Sequence, residues 1–227
     1  MAMKTPFILI PGAGGAAWYW HRLVPLLEAA GHEAIAVELP GDDPDAGLPA
    51  YEEKVIAKIG SRKDVALVGM SLGGFTAALV APKISLRTLV FLNAMIPVPG
   101  ETPGAWWGNT KSTAARKQAA QEGGYGEKFE LQTYFLHDVP EEVLAGGADS
   151  ARPEAEISFM DPATFQAWPD VPIHVVASTE DRFFPVSFQE RVARERLNVG
   201  IDRIRGGHLV ALSHPQELAD LLLSYVR

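Results

Sequence analysis

The chain has 227 residues, enough for one domain with a substantial core, and it is 47% hydrophobic and 21% charged, the balance of a globular rather than a disordered protein. Its net charge of −8 argues against a nucleic-acid or anionic-membrane surface, both of which call for a basic patch. It contains no cysteine, which excludes disulfides, thiol catalysis and cysteine-ligated metal.

In chain order, the first predicted element is the apolar run at 7–10 (Phe-Ile-Leu-Ile), closed by Pro11-Gly12. It is too short for a signal-peptide core or a membrane span and reads as a buried strand, so a cytoplasmic location is the default expectation. Further short apolar runs at 34–39, 65–70, 88–93, 173–178 and, more weakly, 201–204 predict five more strands. They are continuous rather than alternating, as suits strands buried on both faces of a parallel sheet. Helical patterns fall between and after them, at 19–30, 51–59, 72–81, 187–198 and 216–225. This alternation predicts the α/β class, with a doubly wound, mainly parallel six-stranded sheet. It breaks between Pro97 and Pro169, a stretch that holds Trp106, Trp107, Phe129, Tyr134, Phe135, Phe159, Phe165 and Trp168 among scattered glycines and prolines. A structureless loop of that length is uncommon in a compact domain. Residues 97–169 are therefore expected to form a small helical cap, inserted over the carboxyl ends of the strands of a core made from 1–96 and 170–227.

The motif with most chemical content is Gly69-Met70-Ser71-Leu72-Gly73, a G-x-S-x-G pattern placed between the third apolar run and a small-residue helix. The pentapeptide alone is weak, because Gly and Ser are common in turns. Its placement is that of a nucleophile elbow, in which flanking glycines let strand and helix approach closely and lift the serine Oγ clear of the backbone.

A serine hydroxyl needs a base, usually a histidine oriented by a carboxylate, and in this arrangement the partners follow in the order Ser, acid, His at strand ends. Of the six histidines, His208 stands in Gly206-Gly207-His208-Leu209, just after the last strand. His214, before Pro215, reads as a helix cap or surface residue, and His21, His32, His137 and His174 as structural. The acid is expected after the 173–178 strand, in Thr179-Glu180-Asp181-Arg182; Asp181 is the choice and Glu180 the rival, since adjacent side chains in a turn point apart. Either could instead cap the following helix or pair with Arg182. The strand ending at Asn93 offers no carboxylate. The tetrahedral intermediate needs two donors, expected to be the backbone N–H of Leu72 and, from the loop Pro11-Gly12-Ala13-Gly14-Gly15, that of Ala13.

The same loop fits G-x-G-x-x-A over Gly12, Gly14 and Ala17, with Glu38 ending the next strand, as in a dinucleotide-binding βαβ unit. Against that reading, Trp18-Tyr19-Trp20 puts bulk where a helix must open around a pyrophosphate, and no Tyr-x-x-x-Lys pair is present. It also leaves the Ser71 elbow and the Gly-Gly-His turn unexplained.

With these residues assembled, the chain resembles the α/β-hydrolases, and within them the methylesterase and hydroxynitrile-lyase branch. The likeness rests on Ile8 to Trp20 for the first strand and oxyanion loop, Leu26 to His32 for the first helix and turn, and Gly69–Gly74, Ser178–Pro185 and Gly206–Pro215 for the nucleophile, acid and histidine segments. The cap matches only around Tyr134-Phe135. The resemblance implies Ser71 as nucleophile, His208 as base, Asp181 as acid, and Ala13 and Leu72 as oxyanion donors. Relatives commonly carry His at the positions of Pro11 and Met70. The lyases carry Thr where this chain has Gly12 and Lys where it has Leu209, so cyanohydrin cleavage is not expected. An aspartate nucleophile is excluded by the serine at 71.

The expected activity is that of a cofactor-independent serine hydrolase, a carboxylesterase acting on small to medium apolar esters through an acyl-enzyme. No cofactor or metal is expected, and the partner is a small-molecule ester rather than nucleic acid or membrane; a homodimer stays open. The alternative is a ligand-binding or receptor-like protein on the same scaffold, since one fold hosts unrelated functions.

Overall fold

A computed structural model describes residues 4–147 and 150–227. Six strands, β1 (Pro6–Ile10), β2 (Glu33–Ala36), β3 (Val65–Met70), β4 (Leu86–Leu92), β5 (Ile173–Ser178) and β6 (Asp202–Ile204), form one sheet in the order β2-β1-β3-β4-β5-β6. Every neighbouring pair is parallel, with Ile8 beside Leu67, Leu67 beside Leu89 and Phe91 beside Val175. The unbroken apolar runs have the physical cause anticipated for them, because successive side chains enter opposite cores. Ile8, Ile10, Leu67 and Phe91 belong to one, and Phe7, Leu9, Val68 and Leu92 to the other.

Helices α1 (Val24–Ala29), α2 (Leu48–Ile59) and α3 (Gly73–Val80) follow the early strands, α4 (Pro103–Thr110), α5 (Ser112–Gly123), α6 (Leu131–Tyr134) and α7 (Glu141–Ala145) lie between β4 and β5, and α8 (Val186–Leu197), α9 (Val210–Ser213) and α10 (Pro215–Ser224) complete the chain. Buried residues of α2, α3 and α8 join one core, and those of α9 and α10 the other, which is the doubly wound arrangement.

Three boundaries differ from the sequence expectation by three residues or more. The helix expected over 19–30 is instead a 3-10 turn at Ala17–Trp20 followed by the short α1. Pro25, at the start of α1, lacks an N–H and fits only a first turn. Helix α2 likewise begins three residues early because Pro49 supplies its first turn. The strand expected to 39 leaves the sheet after Ala36; Val37 N–H still bonds Leu9 O (3.0 Å), but Leu39 N–H turns to Gly15 O (2.8 Å) and so holds the loop after β1.

The segment between β4 and β5 is fastened to the sheet domain by a buried ion pair. Glu101 and Arg196 of α8 have side chains only 2% and 9% exposed, and Arg196 Nη2 donates to Glu101 Oε1 at 3.0 Å. Arg196 also donates to Ile96 O (2.6 Å), and Asn109 Nδ2 to Glu101 Oε1 (2.8 Å). Burial works against the Glu101 charge, but the hydrogen bonds from Arg196 and Asn109 outweigh it and hold the carboxyl below its usual range. Removing one partner strands the other's buried charge, so Arg196→Ala is expected to cost about 3–5 kcal/mol in urea unfolding at neutral pH. A carboxyl depressed in the folded state stabilises fully above its unfolded pKa, and that contribution is lost as pH falls through the folded value. The gap between wild type and Arg196→Ala should accordingly narrow on acidification. Among the described residues no helix is long and apolar enough to cross a membrane.

Candidate active site

At the carboxyl end of β3 the chain reverses through Ser71, whose φ of +52° lies in the left-handed region that a non-glycine residue seldom occupies. The reversal works because its neighbours are small. A Cβ on Gly69 would stand 2.7 Å from Gly73 O, so strand and helix can cross this closely only with glycine there. The turn is pinned to the next strand by Ser71 N–H to Leu92 O (3.3 Å) and by Met95 N–H to Ser71 O (3.0 Å). Helix α3 is buried along its whole length, which explains its run of Gly, Thr and Ala.

The turn after β6 brings His208 to the same place. His208 Nε2 lies 3.0 Å from Ser71 Oγ, and Nδ1 lies 2.8 Å from Asp181 Oδ2. A carboxylate only accepts, so Nδ1 carries the proton and Nε2 is left to accept from the serine hydroxyl. Asp181 Oδ1 accepts the N–H groups of Phe183 (2.8 Å) and Phe184 (2.9 Å), which fixes the carboxylate in its turn after β5. Both His208 and Asp181 are buried, and Phe135 stacks on the imidazole at 4.6 Å. Glu180 points away, with Arg205 Nε 3.4 Å from its carboxylate at the half-exposed surface.

The remaining histidines have other surroundings. His174 stacks on Tyr225 at 3.7 Å, His21 stacks on Trp18, and His32 Nδ1 accepts the Thr5 N–H (3.2 Å). His214 stands at the N-cap position of α10 without capping it; its Nδ1 lies 3.0 Å from Ser213 Oγ. Arg182 pairs with neither acid: it donates to Thr133 O (3.3 Å) and lies over the Tyr125 ring.

Asn93, which the sequence marks only by its lack of a carboxylate, organises the site. It is fully buried with φ +44° and bonds three segments at once. Its Oδ1 accepts Ser178 N–H (2.8 Å), while Nδ2 donates to Ser178 Oγ (2.8 Å), Gly207 O (3.2 Å) and His208 O (3.0 Å). Gln189 of α8 adds Nε2 to Asn93 Oδ1 (3.3 Å) and to Asp181 Oδ2 (3.4 Å). An amide ending an apolar run is the signal that could have flagged Asn93; Gln189, inside a helix, offers none.

Among the described residues neither Leu72 N–H nor Ala13 N–H has a protein acceptor, and both residues line a cavity of about 240 Å3 that opens onto Ser71 and His208. Its walls are Tyr19, Met70, Met95, Trp107, Phe129, Phe135, Phe159, Phe183 and Leu209, with no acidic residue, lysine or arginine among the described residues. The dinucleotide alternative does not survive this geometry. The glycine loop opens into the 3-10 turn rather than a helix N-terminus, and Glu38 is bonded to Ala17 N–H (2.6 Å) and paired with Arg152.

The family model described as the alpha/beta hydrolase family matches residues 7–221. An alpha-hydroxynitrile lyase of Arabidopsis thaliana is 31% identical over 252 aligned positions, covering 98% of this chain and 97% of that protein. Methylesterase 1 of the same plant is 26% identical, covering 97% and 95%. The crystal structure of polyneuridine aldehyde esterase superposes with a TM-score of 0.78 at 23% identity, over 98% of this chain and 99% of that one. A fully parallel sheet with a strained serine at the end of β3, and a family match running almost from end to end, lead to one conclusion: this chain belongs to the α/β-hydrolase family.

Proposed function

We propose that this chain hydrolyses neutral carboxylic esters of small to medium size, through an acyl-enzyme formed on Ser71. The observation that carries the reading is the hydrogen-bonded series Ser71–His208–Asp181, opening on a cavity that also presents two unspent N–H groups. Ser71 Oγ attacks the carbonyl carbon as its proton passes to His208 Nε2. Asp181 stabilises the imidazolium, and the oxyanion faces Leu72 and Ala13 N–H. Collapse breaks the bond to the alkoxy oxygen, which takes the proton from Nε2 and leaves as the alcohol. Water then attacks the acyl-enzyme, giving its proton to Nε2, and Ser71 recovers it as the acid departs. Methylesterase 1 and polyneuridine aldehyde esterase are esterases by name, which supports the choice of an ester over another acyl derivative.

The cap, residues 97–169, sets the substrate in this reading, through Trp107, Phe129, Phe135 and Phe159. With no acidic residue, lysine or arginine lining the cavity among the described residues, an ionised group on the substrate would be buried unpaired. A neutral ester should be preferred over its carboxylate-bearing analogue by roughly 10- to 100-fold in kcat/KM, a ratio measured directly on matched pairs. The test of the function is an ester panel that varies acyl and alcohol halves separately, with Ser71→Ala as the blank. Turnover of neutral esters that vanishes in the blank is the expected result; no turnover by wild type across the panel would overturn the reading. A cyanohydrin belongs in the same panel because the lyase is a relative. No lysine or threonine lines the cavity, so no cleavage of it is expected.

A further inference from the structure

Two glycine-rich loops carry groups on which the proposed chemistry depends. His208 follows Gly206-Gly207, and the Ala13 N–H precedes Gly14-Gly15, and Gly14, Gly15 and Gly206 all have positive φ (82°, 71° and 123°). Glycine permits these turns but leaves them free to move, so something else must fix them. In each loop a glycine N–H is held by a carboxylate from the segment between β4 and β5. Asp138 Oδ2 accepts Gly207 N–H at 2.6 Å, across 69 residues of chain. Glu154 Oε2 accepts Gly14 N–H at 2.6 Å, across 140 residues, while its Oε1 accepts the Tyr51 hydroxyl at 2.7 Å.

The contacts are close. A Cβ at position 207 would lie 2.5 Å from Asp138 Oδ1, so the carboxylate rests directly on the turn. Asp138 is three residues from Phe135, which stacks on the His208 ring, so one short segment grips both the backbone and the ring of this histidine. Two further imidazoles face Asp138: His214 Nδ1 at 3.9 Å from Oδ2, and the neighbouring His137, whose ring nitrogens are buried without a partner among the described residues. Glu154 faces Arg152 and Tyr51 besides Gly14. Neither carboxylate lines the cavity.

We propose that Asp138 and Glu154 are positioning residues, two cap carboxylates that lock the His208 turn and the oxyanion loop into working geometry. A charge-assisted bond to a backbone N–H is short and directional, which suits it to fixing a peptide plane. On this account the cap is part of the catalytic frame as well as the wall of the substrate cavity.

The proposal rests on the serine-hydrolase reading, and its test separates the two. In the full chain, Asp138→Ala and Glu154→Ala should each lower kcat on the order of 10- to 100-fold, the scale of a small misplacement of reacting groups. KM should stay within about threefold, because the cavity wall is unchanged. Asp138→Asn and Glu154→Gln should recover most of the loss, since an amide oxygen still accepts the glycine N–H and the Tyr51 hydroxyl can rotate to accept from the glutamine amide. Alanine variants with wild-type kcat, or amide variants as impaired as alanine, would overturn the positioning role while leaving the hydrolase reading intact. Wild type that neither turns over esters nor reacts with a fluorophosphonate would overturn both. Should an alanine variant not fold, hydrogen exchange in wild type decides: the Gly14 and Gly207 amides should be protected, and rapid exchange at both refutes the proposal.

Discussion

Replacing Ser71 by alanine is expected to lower ester turnover by about six orders of magnitude, the effect of removing a nucleophile that works as a unit with its base. The loss should appear in kcat, because the cavity walls that bind substrate are untouched. The same position makes a second, opposite prediction about stability. Ser71 holds φ at +52°, where a side chain costs roughly 1–2 kcal/mol and glycine costs little. Ser71→Gly should therefore be as inactive as Ser71→Ala yet melt higher, by about 2–8 °C for a chain of this size. Calorimetry of the two variants beside wild type checks it. A glycine variant that melts below the alanine one would mean that the elbow stores no strain.

Asp181→Asn carries the next largest effect, a fall in kcat of about 10⁴-fold with the fold retained. The asparagine oxygen can still accept Phe183 and Phe184 N–H, so the turn after β5 should hold. Its amide nitrogen would then face His208 Nδ1 and donate to it, forcing the proton onto Nε2, where it can no longer accept from Ser71. Glu180→Gln is the control, because Glu180 lies at the surface with Arg205, and it should stay within about twofold of wild type. If Glu180→Gln were the damaging change and Asp181→Asn mild, the orientation of the imidazole would have been assigned to the wrong carboxylate.

What the sequence reveals here is local, and what it conceals is long-range. The sheet is legible because each strand is an unbroken apolar run closed by turn residues, and the elbow because three glycines surround one serine within six residues. His208 and Asp181 could be nominated from their places after the last two strands, by the order this arrangement demands. The first helix is shorter than its sequence pattern suggests because the aromatic run at 18–20 continues a helical pattern that Pro25 resets. The bonds made by Asn93, Asp138 and Glu154 join residues 69 to 140 positions apart, and no periodicity announces such pairings. Residues 97–169, legible in the sequence only as helical and aromatic, hold among the described residues four helices and the 3-10 turn Glu156–Phe159, and polar residues of this segment reach back to the loops around Ser71.

The central claim is that Ser71 forms a covalent intermediate. It is tested most directly by treating the intact protein with a fluorophosphonate and locating the adduct by peptide mass mapping. A single adduct on the peptide containing Ser71, absent from Ser71→Ala and slowed in Asp181→Asn, is the predicted result. An unmodified wild-type protein, or an adduct on any other residue, would contradict it.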